Sequence, residues 1–213
     1  MSKPARAALA IAVFLACLVF VYDISGPRPL FAEMGSGSVV APAKGKFLVA
    51  TPKLAGSIFS ETVILLIEYG PKGAQGVIIN RPTHLLVSKV LPELKALSRI
   101  ERVYYGGPVS TNMLTFALIK ALTPPENSIH IFGGVYSLLN INDLKRIAGT
   151  GAPFRVYAGY SGWAGGQLES ELAMGSWRVV HPDEDMIFSN EAAGILKTDY
   201  DSVKEDAWPP RPL

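Results

Sequence analysis

The hydrophobic pattern of the chain begins with an uncharged apolar stretch, residues 7–22, which follows Lys3 and Arg6 and ends at Asp23. A stretch of this length and composition favours the bilayer, because burial of its apolar surface in hydrocarbon outweighs exposure to water. The pattern predicts that residues 1–24 form a signal-anchor or a signal peptide. Because the positive charges precede the stretch, the positive-inside rule predicts a cytoplasmic N-terminus and a domain outside the cytoplasm.

Processing of this apolar segment decides where the domain works. No small-x-small cleavage site follows the stretch closely, which favours a retained anchor and therefore a single-pass membrane protein. Cleavage would instead give an exported domain. Translation from Met34 would give a soluble cytoplasmic protein, because the apolar stretch would not be made.

Beyond a linker over residues 25–43, the pattern predicts one domain over 44–203 and an extended, Pro-rich tail over 204–213. Short β-branched or apolar runs predict strands at residues 46–50, 62–68, 74–80, 102–105, 112–119, 128–132, 154–160 and 176–180. Apolar residues at helical spacing, with their flanking signals, predict helices at residues 85–97, 143–148, 167–174 and 191–197. A cluster of turn residues at 69–73 predicts that the second and third strands form a hairpin.

Individual residues mark several boundaries of these elements. Asn142 is expected to cap the second helix, and Gly149 to end it. Gly175 is expected to close the third helix in the same way. Arg81 and Pro82 should stop the third strand, because proline donates no hydrogen bond to a ladder.

Composition and charge exclude some classes of function. The net charge is +2, from 20 Lys and Arg against 18 Asp and Glu, and both signs are dispersed, which argues against direct nucleic-acid binding. The single cysteine, Cys17, lies in the apolar stretch, so an intramolecular disulfide and a cysteine metal site are excluded. The acidic cluster at 183–185 has no histidine at ligand spacing and is expected to be a charged loop. We predict neither a metal nor a cofactor.

The residues around Ser161 do not support hydrolase chemistry. The elbow that activates a serine has the pattern G-x-S-x-G, and the second glycine position is Trp163 here. Ser161 is therefore expected to serve a turn, and Trp163 and Trp177 to anchor a core or an interface. Glu169 and Glu171 lie two apart on a predicted helix, so we expect a solvated face and no close acid–base pair.

A glycine-rich turn predicted over the residues before the third helix is the candidate ligand site. Gly162, Gly165 and Gly166 would let a ligand approach the backbone, and the helix start at Gln167 favours an anion. Arg81 is the cationic partner if the fold brings it near. Neither a P-loop nor a dinucleotide fingerprint is present, and tight packing between a strand and a helix explains the glycines equally well.

Four ordered motifs resemble those of the YqgE/AlgH family of bacterial proteins, over about residues 45–200. They are KFLVATP at 46–52, GVIINRP at 76–82, GGPV at 106–109, and GYSGW at 159–163 followed by GQLE at 166–169 and Trp177. The signature positions are Asn80, Arg81, Pro82, Gly106, Gly107, Pro108, Gly159, Tyr160, Gly162, Trp163, Gln167 and Glu169.

The resemblance implies a single α+β domain with a strongly bent, barrel-like and mainly antiparallel sheet flanked by helices, here preceded by the apolar segment. It implies no activity, because the family is largely uncharacterised; one branch is linked to transcriptional control of alginate production. Members of the family usually begin just before the first strand. The apolar extension conflicts with the regulator label, since a domain outside the cytoplasm does not reach a promoter.

Three hypotheses about function follow. The first is a non-catalytic binding or regulatory domain, tethered to a membrane, that acts through a protein or small-molecule partner. The second is an enzyme whose site is assembled from residues distant in sequence, with Arg81, Glu169 and the glycine-rich turn as candidates. The third is a soluble cytoplasmic transcriptional regulator translated from Met34.

Overall fold

The computed structural model describes residues 40–94 and 101–189; the apolar stretch, the predicted helix 191–197 and the tail lie outside these ranges. The strands are β1 (Phe47–Ala50), β2 (Val63–Gly70), β3 (Gly73–Ile78), β4 (Pro82–Leu86), β5 (Arg102–Tyr105), β6 (Val109–Lys120), β7 (Ser128–Phe132), β8 (Val135–Leu138), β9 (Phe154–Ala164) and β10 (Trp177–Val180). The helices are α1 (Val87–Val90), α2 (Leu144–Ala148), α3 (Gln167–Ala173) and α4 (Glu184–Phe188). Short 3-10 turns lie at Pro52–Leu54, Pro92–Leu94 and Ile141–Asp143.

The strands form one curled sheet, in the order β10-β1-β2-β3-β9-β6-β8-β7. β4 pairs with β5, and β5 lies parallel to β9, whereas the other pairs are antiparallel. The few helices are short, which agrees with a single α+β domain built on a half-barrel. The prediction of one α+β domain with a bent antiparallel sheet is confirmed in this form.

The core lies on both faces of the first two strands. All of β1, and β2 from Val63 to Ile67, is buried, as their unbroken apolar sequences predict. On one face, Phe47 and Leu65 belong to a cluster that also contains Ile187 of α4. Other clusters cover the opposite face under α3 and the surroundings of α2.

Strand β9 joins the two parts of the sheet, because it pairs with β3, β5 and β6. Gly159 bends it with a φ of +71°, a conformation that costs energy for any residue with a Cβ. A Cβ there would lie 2.4 Å from the carbonyl oxygen of Gly107, so the bend also needs close contact between backbones. Beside this contact, the fully buried Ser161 donates its hydroxyl to the Gly106 carbonyl oxygen at 3.2 Å.

The helix predicted over residues 85–97 is largely wrong. Leu85 belongs to β4, helix α1 is four residues long, and a 3-10 turn begins at Pro92. Proline removes the N–H that a continuing helix needs, which limits α1. Pro82 does not only end a strand: it is the first residue of β4, a position where a strand tolerates proline.

Besides β4, strand β8 and helix α4 were not predicted. Strand β8 follows β7 after the tight turn of Gly133 and Gly134, and the two strands form a hairpin. Helix α4 replaces the charged loop predicted at 183–185, because Asp183 caps it by accepting the N–H of Asp185 at 2.8 Å. Strand β6 also begins earlier than predicted, at Val109.

The other predicted helices are found with small differences. Helix α3 ends just before Gly175, as predicted, and α2 is followed by Gly149. The residue at the start of α2 is Asp143 instead of Asn142, because a 3-10 turn precedes the helix. Within the described ranges, no helix has the length and apolarity needed to cross a membrane.

A buried arginine holds the end of α4. Arg155, which is only 4% exposed, donates to the carbonyl oxygens of Ile79 and Ser189 and lies 4.1 Å from the ring centroid of Tyr104. The neighbouring Tyr157 hydroxyl is buried without a hydrogen-bond partner among the described residues, and its burial raises the pKa of Tyr157 well above the usual value. The Arg155 guanidinium is held by the two carbonyl groups and the Tyr104 ring, and its bond to Ser189 fixes the end of α4 against the sheet.

Candidate functional site

The glycine-rich segment predicted as a turn over residues 161–166 is a strand up to Ala164. Its residues 161–164 pair with residues 73–76 of β3, and the hydrogen bonds of this ladder keep the backbone extended. The turn is confined to the two glycines at 165–166. The prediction failed because pairing with β3 outweighs the low strand propensity of glycine.

Side chains in this part of β9 alternate between the core and the outer surface. Ser161 and Trp163 are buried, whereas Gly162 is exposed and Tyr160 is partly buried. Trp163 meets Trp177 edge to face, with 6.0 Å between the ring centroids. Both tryptophans are therefore core residues, which confirms one of their predicted roles.

One carboxylate connects α3 to both tryptophans. Glu171 Oε2 accepts the indole N–H of Trp163 at 2.9 Å and that of Trp177 at 2.7 Å. Glu171 Oε1 accepts a hydrogen bond from the Gln167 amide at 2.9 Å. The prediction that Glu171 lies on a solvated helix face is wrong, because this face of α3 packs against the sheet.

The start of α3 is bonded to the sheet. The amide oxygen of the Gln167 side chain, Oε1, accepts the N–H of Ala164 at 3.1 Å. A Cβ at Gly165 would lie 2.6 Å from the carbonyl oxygen of Pro71, so glycine lets the β2–β3 hairpin pack against the turn. Gly166 occupies the position before the helix in a left-handed conformation. Tight packing, the alternative explanation for the glycines, accounts for Gly165.

Asn80 and Arg81 both hold the loop that precedes β2. The Arg81 guanidinium donates to the carbonyl oxygens of Ile58 at 2.6 Å and Ser60 at 2.7 Å. The Asn80 side chain donates to the Glu61 carbonyl oxygen and accepts the N–H of Val63, the first residue of β2. No hydrogen bond or ion pair within the described residues joins Arg81 to the glycine-rich segment. The anion site therefore stays a prediction.

Glu169 fastens α3 to the β2–β3 hairpin. Its carboxylate accepts the hydroxyl of Tyr69 at 2.7 Å. This hydrogen bond lowers the pKa of Glu169 and raises the pKa of Tyr69, because it stabilises the carboxylate and the protonated phenol. Together with the contact at Gly165, it fixes the position of the hairpin beside β9.

An open cleft of about 720 Å³ lies between the β2–β3 hairpin and the outer face of β9. We call it the hairpin cleft. Its wall is formed by hairpin residues 68–75, and the other lining residues are Val109, Tyr160, Gly162 and Trp163. The volume is within the range of pockets that take small molecules or short segments of other chains.

Four polar side chains that line the hairpin cleft have no hydrogen-bond or ion-pair partner among the described residues. They are the side chains of Glu68, Lys72 and Gln75 and the hydroxyl of Tyr160. The Tyr160 ring is supported by an edge-to-face contact with Phe116, at 6.4 Å between centroids. The cleft thus offers both signs of charge, an amide and an aromatic ring.

A second cleft, of about 880 Å³, lies beside α4, and its principal charged groups are paired. Lys120 forms ion pairs with Glu184 at 3.3 Å and Asp185 at 2.8 Å. Glu184 also accepts the N–H of Gly134 at 2.7 Å. These acidic residues hold α4 in place, and the described residues contain no cluster of acidic, His or Cys side chains that could hold a metal ion.

Sequence reasoning missed the hairpin cleft because it took residues 161–166 as a turn. Alternation of Ser161 and Trp163 with Tyr160 and Gly162 is the signal that could have placed the latter two on an outer strand face. The wall residues carried no comparable signal. Whether a polar side chain has an internal partner depends on tertiary contacts that the sequence does not display.

A family model described as AlgH-like matches residues 47–207 of this chain. A UPF0301 protein of Ralstonia pickettii is 33% identical over 163 residues, which cover 73% of this chain and 85% of the relative. A UPF0301 protein of Streptomyces coelicolor is 35% identical over 156 residues, covering 70% of this chain and 81% of the relative. The residues that the family model matches include the four motifs, apart from Lys46 at the start of the first.

Two solved structures have a similar fold. The solution structure of the AlgH protein from Pseudomonas aeruginosa matches with a TM-score of 0.60 and 28% identity, covering 84% of this chain and 100% of that protein. The crystal structure of protein DIP2367 from Corynebacterium diphtheriae matches with a TM-score of 0.63, covering 80% of this chain and 90% of that one. At 22% identity, the second match shows the fold alone.

The bonds of Glu171 lead to a stability prediction. Replacing Glu171 by alanine leaves two indole N–H groups without an acceptor, so we expect the free energy of unfolding to fall by about 2–5 kcal/mol. Glu169→Ala removes an exposed hydrogen bond from the same helix and should cost about 0.5 kcal/mol. Urea unfolding followed by tryptophan fluorescence measures both values. Equal stability of the two variants would contradict the assigned role of Glu171.

Proposed function

Because the chain belongs to the AlgH-like family, whose name specifies no activity, we propose its function from the hairpin cleft and the N-terminal pattern. The domain is a non-catalytic binding or regulatory module, and its ligand occupies the hairpin cleft. Residues 7–22 tether it to a membrane, with the domain outside the cytoplasm.

The observation that carries the binding function is the contrast between the hairpin cleft and the groups that the sequence singled out. Ser161, Arg81 and Glu171 are all bonded to groups within the domain. In the hairpin cleft, by contrast, the side chains of Lys72 and Gln75 have no hydrogen-bond or ion-pair partner in the part of the chain that the structure describes. Polar groups that face an open cleft without internal partners are available to a ligand.

The cleft is also held in one shape before a ligand arrives. The Tyr69–Glu169 hydrogen bond and the close contact at Gly165 fix the hairpin wall against α3. On the other side, Trp163 is locked by Glu171. A preformed site avoids much of the entropy cost of ordering side chains on binding, which supports a binding role.

The tether rests on the apolar stretch, and two charges placed within it test the proposal. We expect the native chain in the membrane fraction, resistant to alkaline carbonate and with its original N-terminus. Leu15→Asp combined with Leu18→Asp should release it, because each buried carboxylate strongly disfavours insertion, whereas Leu15→Ile with Leu18→Ile should not. Fractionation with N-terminal sequencing reads both results. A soluble cytoplasmic chain that begins at Met34 would contradict the tether.

The cleft is tested by a fragment library of amides, amines and carboxylic acids, screened by saturation-transfer NMR. Fragments that bind the native chain should lose binding in Tyr160→Ala, because the aromatic face is removed. They should bind Tyr160→Phe, which keeps the ring and serves as the matched control. Absence of binding fragments, or equal binding to all three proteins, would argue against the hairpin cleft as the ligand site.

A further inference from the structure

The edge of β9 beside Gly162 has a strand partner on one side only. Residues 161–164 pair with β3, whereas β6 pairs with Tyr160 through Val109 and continues no further along β9. Among the described strands, none pairs with the second edge of residues 162–164. Gly162 and Trp163 on this stretch line the hairpin cleft.

The ladder between β3 and β9 determines where the Gly162 backbone groups point. Just after β3, Ile79 donates its N–H to the Val63 carbonyl oxygen of β2 at 2.9 Å. Since backbone groups alternate in direction along a strand, the N–H and C=O groups of the odd-numbered residues of β3 point toward β2. The N–H and C=O groups of the even-numbered residues of β3 point toward β9. Gln75 and Gly162 therefore oppose each other without exchanging hydrogen bonds.

The N–H and C=O of Gly162 consequently point toward the open edge. Two residues further on, the Ala164 N–H also points away from β3 and donates to Gln167 Oε1. Alternate residues of a strand direct their backbone groups to the same side, which agrees with this assignment. At this edge, the Gly162 backbone has neither a strand partner nor a turn or loop hydrogen bond from residues 40–94 or 101–189.

Gln167 indicates which chemical group suits this edge. Its side chain is a carboxamide, which has the same donor and acceptor groups as a peptide bond, and it satisfies the Ala164 N–H at 3.1 Å. A polypeptide backbone that ran along this edge from Gln167 would next reach the N–H and C=O of Gly162. The local chemistry therefore favours an amide-containing ligand.

The surroundings of Gly162 leave room for an extended chain and one apolar side chain. A Cβ at Gly162 would lie 3.3 Å from Tyr160 Cε2, so the Tyr160 ring lies directly beside this part of the strand. The Tyr160 ring and Val109, which is 37% exposed, supply apolar surface on the floor. Glu68 and Lys72 add one charge of each sign, so the cleft does not favour a strongly charged ligand.

On the basis of the binding function proposed above, we propose that the ligand is an extended, weakly charged segment of a partner protein. It adds as a strand to the open edge of β9. Its backbone exchanges hydrogen bonds with the N–H and C=O of Gly162, and an apolar side chain packs on Tyr160 and Val109. Backbone pairing of this kind supplies affinity, while the flanking side chains supply specificity.

The test selects a random heptapeptide library on phage against the detergent-solubilised full chain, and then measures binding of the enriched peptides to two variants. Gly162→Pro removes the edge N–H at a position where strands tolerate proline, and should weaken binding about tenfold or more. Gly162→Ala keeps the N–H and should bind within about threefold of the native chain. Thermal melting confirms that both variants fold. In the native complex, isotope-filtered NOEs should join peptide backbone protons to those of Gly162.

Several results would overturn the proposal. They are the absence of an enriched peptide, equal affinity for Gly162→Pro, and peptide NOEs confined to the hairpin wall. A dimer of the native chain that Gly162→Pro dissolves would assign the edge to a second copy of this chain. If fragments still depend on Tyr160 while no peptide binds, the strand-addition proposal fails and the hairpin cleft remains the ligand site.

Discussion

The carboxylate of Glu171, which accepts the indole N–H groups of Trp163 and Trp177, is the interaction on which the site depends. It fixes α3 to two strands at once, β9 and β10. With α3 in place, Gln167 satisfies the edge at Ala164 and the hairpin is held over β9. Because partly buried donors without an acceptor are costly, this arrangement also determines which face of β9 stays free.

The division of β9 into two faces explains the difference between structural and available polar groups. Inward residues such as Ser161 are bonded inside the domain, and Arg81 is bonded to the loop before β2. The outward residues Tyr160 and Gly162 line the hairpin cleft, where the Tyr160 hydroxyl has no hydrogen-bond partner in the described chain. A domain of this kind binds through surface that its own core does not need, which supports a role as a binding module.

Part of this fold could be predicted from the sequence. The unbroken apolar runs of β1 and β2, and the turn residues between β2 and β3, indicated buried strands and a hairpin, and both are found. The far end of β9 was missed because its glycines suggest a turn, whereas pairing with β3 keeps it extended. Glu171 was missed although its partners, Trp163 and Trp177, lie on the strands directly before and after α3. The spacing of residues along α3 shows which residues share a helix face, but not which strand residues that face contacts.

Amide hydrogen exchange along β9 of the free protein tests the central claim, that one edge and one face of this strand are left open. The ladder with β3 predicts slow exchange at Ser161 and Trp163, whose N–H groups bond to β3. It predicts fast exchange at Gly162 between them. Protection of the Gly162 amide equal to that of its two neighbours would contradict the account, because the edge would then already be paired.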